Sequence, residues 1–246
     1  MVDGGLSGEA SYRRPTGLAA LRRSLLDLLF PPRCVVCRTR GDWLCLRCRP
    51  QLTLVDPPVC PRCGAPLAGA PCPLCAVERP PVAGLRFSGF HEGALRHAVH
   101  RLKFSGERYL AEPLGTLLAT SWRQAPLPGE VLVPVPLHRT REASRGYNQA
   151  VLLARVTGRE LGLPVLAGGL VRTRETPSQT GLDRRARLTN LRGAFRWTAG
   201  PCPERPVLID DVTTTGATLA ACAEALRQAG ARRVYALVLA RAHSGR

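Results

Sequence analysis

Hydrophobic and polar positions follow two alternating rhythms along the carboxyl-terminal two thirds of the chain. Short aliphatic runs, which are typical of strands, occupy residues 84–90, 130–136, 164–172, 207–210 and 234–241. Between them, apolar residues recur at helical spacing and predict helices near 94–104, 108–122, 148–161 and from about 217 onward. Because strands that alternate with helices form parallel sheets, the pattern predicts an α/β core.

The amino-terminal third has a different pattern. Residues 1–17 predict a disordered tail. Residues 18–30 predict a short amphipathic helix, and charges at Arg22, Arg23 and Asp27 interrupt its apolar face. No apolar stretch reaches the ~20 residues that span a bilayer, and no small-residue cleavage site follows, so we expect a cytoplasmic protein. The predicted units are 1–17, 18–78 and, after a Pro-rich linker, 82–246.

Eight of the ten cysteines form four C-x-x-C pairs in the second unit, namely Cys34/Cys37, Cys45/Cys48, Cys60/Cys63 and Cys72/Cys75. Two residues between thiols allow one tight turn to present both sulfurs to one ion, so four pairs predict two tetrahedral Cys₄ sites. Pairing in chain order gives two small ribbons of similar size, and an interleaved pairing is the alternative.

Zinc suits an all-thiolate ligand set, and a closed Cys₄ site indicates a structural role. Disulfides and an iron–sulfur cluster are the rival interpretations. The regular spacing and the lack of a secretion signal disfavour disulfides, whereas four thiolates also bind iron. Since the segment is too short and too Pro-rich to bury a core of its own, we expect chelators to unfold residues 34–75 before the rest.

Residues 207–219, VLIDDVTTTGATL, combine a strand, two carboxylates, a hydroxyl-rich turn and the start of a helix. Free N–H groups and the positive end of the helix dipole favour a phosphate at such a turn, and Gly216 allows close approach of the backbone. Paired carboxylates accept hydrogen bonds from two ribose hydroxyls. The segment therefore predicts a sugar-phosphate site, the alternative being a helix cap without a ligand. The sequence contains no G-x-x-x-x-G-K-[ST] motif, and this absence argues against a P-loop NTPase.

This segment resembles the phosphoribosyl-pyrophosphate (PRPP) motif of type I phosphoribosyltransferases. The resemblance implies a parallel-sheet core of that type, which binds PRPP together with Mg²⁺. It also implies that Asp210 and Asp211 hold the ribose hydroxyls. The 5′-phosphate would then be held by Thr213, Thr214, Thr215, Gly216 and Thr218.

Two further segments, residues 133–150 and 170–195, are similar to motifs of the ComF family, in which zinc ribbons precede a phosphoribosyltransferase-like domain. The resemblance implies that P-V-P-L at 134–137 ends a core strand beside the active site and that R-G-Y-N-Q at 145–149 opens the following helix. It also implies a flap over the substrate, carrying Thr176, Gln179, Leu182, Arg187 and Asn190. Lys103 matches the family's L-K-[FY]-x-G motif and would face the pyrophosphate. Candidates for further cations are Arg139, Arg145, Arg172, Arg174 and Arg187. A solvated lysine at a helix end is the alternative for Lys103.

Thirty-five Lys and Arg against eighteen Asp and Glu give a net charge of +17, and Lys103 is the sole lysine. Such a field attracts polyanions, although a GC-rich genome would also enrich arginine. The resemblance implies a phosphoribosyltransferase with an unknown acceptor, acting in DNA uptake or processing during natural competence. The alternative is a non-catalytic PRPP-binding competence factor that binds single-stranded DNA or a protein partner, such as a helicase of the competence machinery.

Overall fold

The computed structural model describes residues 32–67, 69, 71–77, 79–174 and 190–242. The tail and the amphipathic helix predicted over residues 1–30 therefore lie outside the described residues. So do four positions of the predicted flap, Thr176, Gln179, Leu182 and Arg187.

In the described residues the core is a parallel sheet of four strands, in the order β1-β6-β5-β2, and β3 and β4 form a separate antiparallel pair. The strands are β1 (Gly84–Phe90), β2 (Val131–Pro134), β3 (Leu170–Arg172), β4 (Phe195–Trp197), β5 (Pro206–Thr213) and β6 (Tyr235–Arg241). The α-helices are α1 (Pro73–Val77), α2 (Gly93–Phe104), α3 (Ala111–Gln124), α4 (Arg139–Arg145), α5 (Gln149–Leu161) and α6 (Ala217–Gln228). Short 3₁₀ turns occupy Arg49–Gln51 and Arg108–Leu110. The predicted α/β class is confirmed.

The prediction of one continuous strand of the parallel sheet over residues 164–172 is wrong. Only Val165 bridges Leu132 in parallel, and the chain then turns away to form β3, which pairs antiparallel with β4. Two glycines explain the turn. Gly168 has φ +90°, and at Gly169 a Cβ would lie 2.6 Å from the Trp197 ring. A run of small residues resembles a buried strand in sequence, but here the small residues form a turn that directs the chain away from the parallel sheet.

Two hydrophobic layers cover the sheet. One contains buried residues of α2, α3 and α5, and the other packs α6 and the β3–β4 pair against the opposite face. The first layer also contains Leu95 of α2. Four residues of the cysteine-rich segment belong to it as well, namely Cys34, Val35, Leu44 and Cys48. The first cysteine group is therefore built onto the α/β core and shares its apolar interior.

The segment between the two cysteine groups covers the outer edge of β1. Val55 donates its N–H to the Ser88 carbonyl, and Phe90 donates to the Thr53 carbonyl, both at 2.9 Å. A Cβ at Gly89 would lie 2.6 Å from that Thr53 oxygen, so the close approach requires glycine. This pairing protects an edge that would otherwise be open to other strands. Among the described helices, none has the length and apolarity to span a bilayer.

Candidate functional site

A carboxylate pair and the sole lysine meet at the carboxyl end of β5. Asp210 and Asp211 lie near the end of that strand, and Lys103 is in the last turn of α2. The Lys103 Nζ atom is 2.7 Å from Asp211 Oδ1, with side-chain exposures of 20% and 3%. The alternative of a solvated helix-end lysine is therefore wrong: the ammonium group is directed into the end of the sheet.

The two carboxylates differ in their surroundings. Asp210 Oδ1 accepts the Asp211 N–H at 2.8 Å. Burial raises the pKa of Asp210 to about 7, and the charge of Asp211 adds to this rise while Lys103 opposes it. The second oxygen of Asp211, Oδ2, is buried and has no hydrogen-bond partner among the residues described. The pair thus offers unused acceptor capacity at the end of the sheet.

The turn after β5 has the form expected of an anion site. Thr213 ends the strand, and Gly216 forms the amino-terminal cap of α6 with φ 74°. Within the described residues no side chain caps the first turn of α6, so no side-chain acceptor from that part of the chain occupies its N–H groups. Thr214 is exposed, whereas Thr215 and Thr218 are half-buried. The backbone and these hydroxyls provide donors beside the carboxylates.

A pocket of about 500 Å³ opens beside Lys103. Its lining includes Lys103, Phe104, Arg141, Ser144, Arg145 and Tyr147. Arg145, predicted as a site residue, donates to the Gln149 side-chain oxygen, and its guanidinium carbon lies 5.1 Å from the Phe104 ring centre. The fold therefore brings Lys103 and Arg145 to one pocket, while Arg187 lies outside the described residues.

Helix α4, which carries the pocket residues Arg141 and Arg145, was not predicted from the sequence. Nearly all of its residues are exposed, so it lacks the apolar periodicity of a core helix. Local signals were present nevertheless. The His138 side chain accepts the Thr140 N–H at the start of the helix, and Gly146 with φ 76° ends it. Burial and the nearby charge of Lys103 lower the pKa of His91, a residue that had no role predicted from the sequence.

The cysteines group in chain order. Cys34, Cys37, Cys45 and Cys48 form one cluster, and Cys60, Cys63, Cys72 and Cys75 form the other, with all sulfurs of a cluster within 4.8 Å. The interleaved alternative is excluded by this grouping. The Sγ atoms of Cys37 and Cys45 are 3.5 Å apart, and those of Cys63 and Cys72 are 3.6 Å apart. A disulfide requires ~2.05 Å, whereas a tetrahedron with ~2.3 Å Zn–S bonds has edges of about 3.8 Å. The ligand set fits structural zinc.

Comparison with known proteins agrees with this arrangement. Residues 25–79 match the double zinc ribbon domain family. The chain is 34% identical over 228 residues to the DNA utilization protein YhgH of Escherichia coli K12, covering 87% of this chain and 99% of the relative. It is 33% identical to competence protein F of Haemophilus influenzae, with 85% and 97% covered. The chain belongs to the ComF family.

The Bacillus subtilis competence protein ComFC is also similar, with 30% identity over 76% of this ComF chain and 79% of the relative. Solved structures similar to this chain include the glutamine PRPP amidotransferase of B. subtilis, at 19% identity and TM-score 0.39, covering 57% of this chain and 30% of that one. A hypoxanthine phosphoribosyltransferase of Trypanosoma cruzi aligns at 15% identity and TM-score 0.33, covering 58% and 71%.

Proposed function

We propose that this ComF family protein binds PRPP with Mg²⁺ at the carboxyl end of β5 and transfers the phosphoribosyl group during DNA uptake or processing. The observation that carries the proposal is the Lys103–Asp211 ion pair beside the Thr213–Thr218 turn. It places a cation, two carboxylates and a helix amino terminus within one site, which matches the groups that PRPP presents.

Each chemical group of PRPP has a complementary group in the proposed site. The ribose hydroxyls would donate to Asp210 and Asp211, since the Asp211 Oδ2 atom has no other partner in the described part of the chain. The 5′-phosphate would accept from the uncapped N–H groups of α6. The pyrophosphate would lie toward Lys103 and Arg145, the cations of the adjoining pocket.

The residues also suit the transfer step. Bond cleavage at the anomeric carbon leaves positive charge on the ribose, and the carboxylate pair would stabilise that charge. Lys103 would hold the departing pyrophosphate. Hard cations prefer carboxylate and phosphate oxygens, so Asp210 and Asp211 suit Mg²⁺, which would neutralise the charge of the leaving pyrophosphate.

A role with DNA is supported by the names of the relatives, which refer to competence and to DNA utilization. The net charge of +17 favours polyanionic partners. The same site would also serve a protein that binds PRPP without turnover and engages single-stranded DNA or a protein partner. Release of pyrophosphate on addition of a candidate acceptor distinguishes the enzyme from such a binding protein.

Calorimetric titration of PRPP and Mg²⁺ into the zinc-loaded full chain tests the site. We expect saturable binding to the wild type and a loss of at least 100-fold in the Asp210→Asn/Asp211→Asn double variant. Asp56→Asn, an exposed position in the segment between the ribbons, is the matched control and should bind as the wild type does. Equal affinity in the double variant and the wild type would disprove the ribose assignment.

A further inference from the structure

Arg38 of the first ribbon has a backbone conformation that favours glycine. Its φ is 65°, and in the part of the chain that the structure describes it is the only residue other than glycine with a positive φ. Gly64, with φ 69°, occupies the equivalent place in the second ribbon, directly after a C-x-x-C pair. The two turns have the same hydrogen bond. The Arg38 N–H donates to the Cys34 carbonyl at 3.0 Å, as the Gly64 N–H does to the Cys60 carbonyl at 2.9 Å. The first ribbon therefore has a long cationic side chain at a position that glycine occupies with less strain.

The Arg38 side chain extends to the turn that follows α2. Its Nη1 atom lies 3.7 Å from Glu107 Oε1, and the Glu107 side chain is 16% exposed. Glu107 also accepts hydrogen bonds from the Arg101 Nε atom at 2.7 Å and from the Tyr109 hydroxyl at 2.9 Å. The hydrogen bonds from Arg101 lower the pKa of Glu107, so the carboxylate is charged at neutral pH. One carboxylate thus joins the first ribbon to the end of α2.

This end of α2 also carries Lys103. Arg101 and Lys103 both lie in the last turn of the helix. Gly106, the residue before Glu107, lines the same pocket as Lys103. Because the backbone hydrogen bonds of one helical turn hold its residues together, a contact that restrains Arg101 also restrains Lys103. The direction in which the ammonium group enters the site therefore depends on Glu107.

The segment that carries Glu107 is anchored on both sides along the chain. Leu102 of α2 and Leu110 of the following 3₁₀ turn are fully buried, and both belong to the apolar layer that contains Cys34 of the first ribbon. Metal bound by the first cysteine group would hold the turn that carries Arg38 in its folded form. Both partners of the Arg38–Glu107 contact are therefore attached to packed structure, so the contact restrains the end of α2.

We propose that Arg38 and Glu107 are positioning residues for the pyrophosphate side of the PRPP site. Arg38 holds Glu107, and Glu107 holds the last turn of α2 through Arg101, so that Lys103 is directed into the site. The inference rests on the proposed function, which assigns Lys103 to the pyrophosphate. It makes the affinity for PRPP depend on the fold of the first ribbon. The second ribbon has no equivalent link, because Gly64 has no side chain.

The variant Arg38→Gly removes the guanidinium group and keeps the turn, because glycine adopts the left-handed conformation without strain. Its zinc content and urea midpoint should therefore not fall below those of the wild type. In calorimetric titrations of the zinc-loaded full chain with Mg²⁺, we expect the affinity for PRPP to fall about three- to fivefold, the range that a partly exposed ion pair supports. The affinity for ribose 5-phosphate, which lacks the pyrophosphate, should not change. A merely structural role of Arg38 would weaken the binding of both ligands together.

Further variants test the route through Glu107. Arg38→Lys retains the cation and should retain the affinity for PRPP, and so should Arg47→Ala, which removes an exposed arginine of the same ribbon. Glu107→Gln should weaken PRPP binding about tenfold, because it also removes the charge that holds Arg101. Adding Arg38→Gly to Glu107→Gln should have no further effect, since both changes remove the same contact. Wild-type affinity for PRPP in Arg38→Gly, or equal losses for PRPP and ribose 5-phosphate, would overturn the inference.

Hydrogen exchange separates failure of this inference from failure of the proposed function. In the absence of ligand, the amides of residues 101–104 should exchange faster in Arg38→Gly than in the wild type and in Arg47→Ala. Faster exchange in a protein whose wild type does not bind PRPP would refute the PRPP proposal and keep the role of Arg38 in positioning the end of α2. Unchanged exchange and unchanged PRPP affinity in Arg38→Gly would remove the positioning role and keep the PRPP site.

Discussion

Lys103 Nζ lies 2.7 Å from Asp211 Oδ1, and this ion pair joins the end of α2 to the end of β5. The Asp211 side chain is 3% exposed, so its charge has little access to water and depends on the lysine for compensation. The same contact places the cation beside the carboxylates that we assign to the ribose. We therefore expect the same two residues to contribute both to the stability of the fold and to ligand binding.

Loss of the lysine should destabilise the fold. Lys103→Met leaves the Asp211 carboxylate buried without its counter-ion, and we expect the free energy of unfolding to fall by about 2–4 kcal/mol. Combining Lys103→Met with Asp211→Asn removes both charges and should restore most of that loss. Urea denaturation of the wild type, Lys103→Met, Asp211→Asn and the double variant measures this. Additive losses in the double variant would contradict a direct ion pair.

The raised pKa of Asp210 predicts a pH dependence of stability. In the unfolded chain this carboxyl loses its proton near pH 3.8, whereas in the folded protein it does so near pH 7. The folded state therefore binds more protons between these values, and its stability falls as the pH rises from about 4 to 7. Asp210→Asn removes the penalty and should be more stable than the wild type at pH 8, by about 1 kcal/mol or more.

Urea midpoints at pH 5 and pH 8 check that prediction, with Asp56→Asn as the control for loss of one exposed carboxylate. The advantage of Asp210→Asn should shrink at pH 5. An advantage of the same size at both pH values would mean that ionisation of Asp210 is not its cause.

The two cysteine groups should respond differently to metal loss. Cys34 and Cys48 are buried in the same apolar layer as Leu95, whereas Cys60 and Cys63 form a small cluster of their own with Ala65. Replacing Cys34 and Cys37 by serine should therefore lower the midpoint of the main unfolding transition. Replacing Cys72 and Cys75 should release mainly the second ribbon.

Calorimetric scans combined with hydrogen exchange of β1 and α2 distinguish these outcomes. The expectation that chelators unfold residues 34–75 ahead of the core stays a prediction. Because the first cysteine group packs into the core layer, we expect the early unfolding to be limited to the second ribbon. Equal effects of the two serine pairs on exchange in α2 would contradict this difference.

Arg86 of β1 links the second ribbon to the core. Its Nε donates to the Ala125 carbonyl at 2.8 Å, and its Nη1 donates to the Pro61 and Leu85 carbonyls at 2.9 Å. Arg86→Met leaves these carbonyls without their donor, and we expect a loss of about 2–4 kcal/mol in the free energy of unfolding. Arg62→Met, at an exposed arginine of the same ribbon, should cost less than 0.5 kcal/mol. Equal effects in denaturant titrations would show that the Arg86 hydrogen bonds do not stabilise the fold.

The sequence alone determined features that depend on neighbouring residues. Apolar periodicity located β1, β2, β5, β6 and the helices α2, α3, α5 and α6, because burial of one face imposes that period. The C-x-x-C spacing identified the eight ligand cysteines, since one turn brings each pair of thiols together. The order of carboxylates, threonines and glycine at 210–218 located the candidate sugar-phosphate site, because strand, turn and helix start are contiguous there.

Tertiary structure decided whatever joins distant segments. The pairing of the cysteines in chain order, the contact of Lys103 with Asp211 and the pocket shared by α2 and α4 depend on packing between elements. The exposed helix α4 carries too little apolar pattern to be predicted, and the antiparallel pairing of β3 with β4 joins segments that are distant in sequence. The attachment of the first ribbon to the core was also hidden, because its cysteines serve both as thiol ligands and as buried apolar residues. The chemistry of a local motif is set by residues that are adjacent in sequence, whereas contact between two distant segments depends on the free energy of the whole packed core.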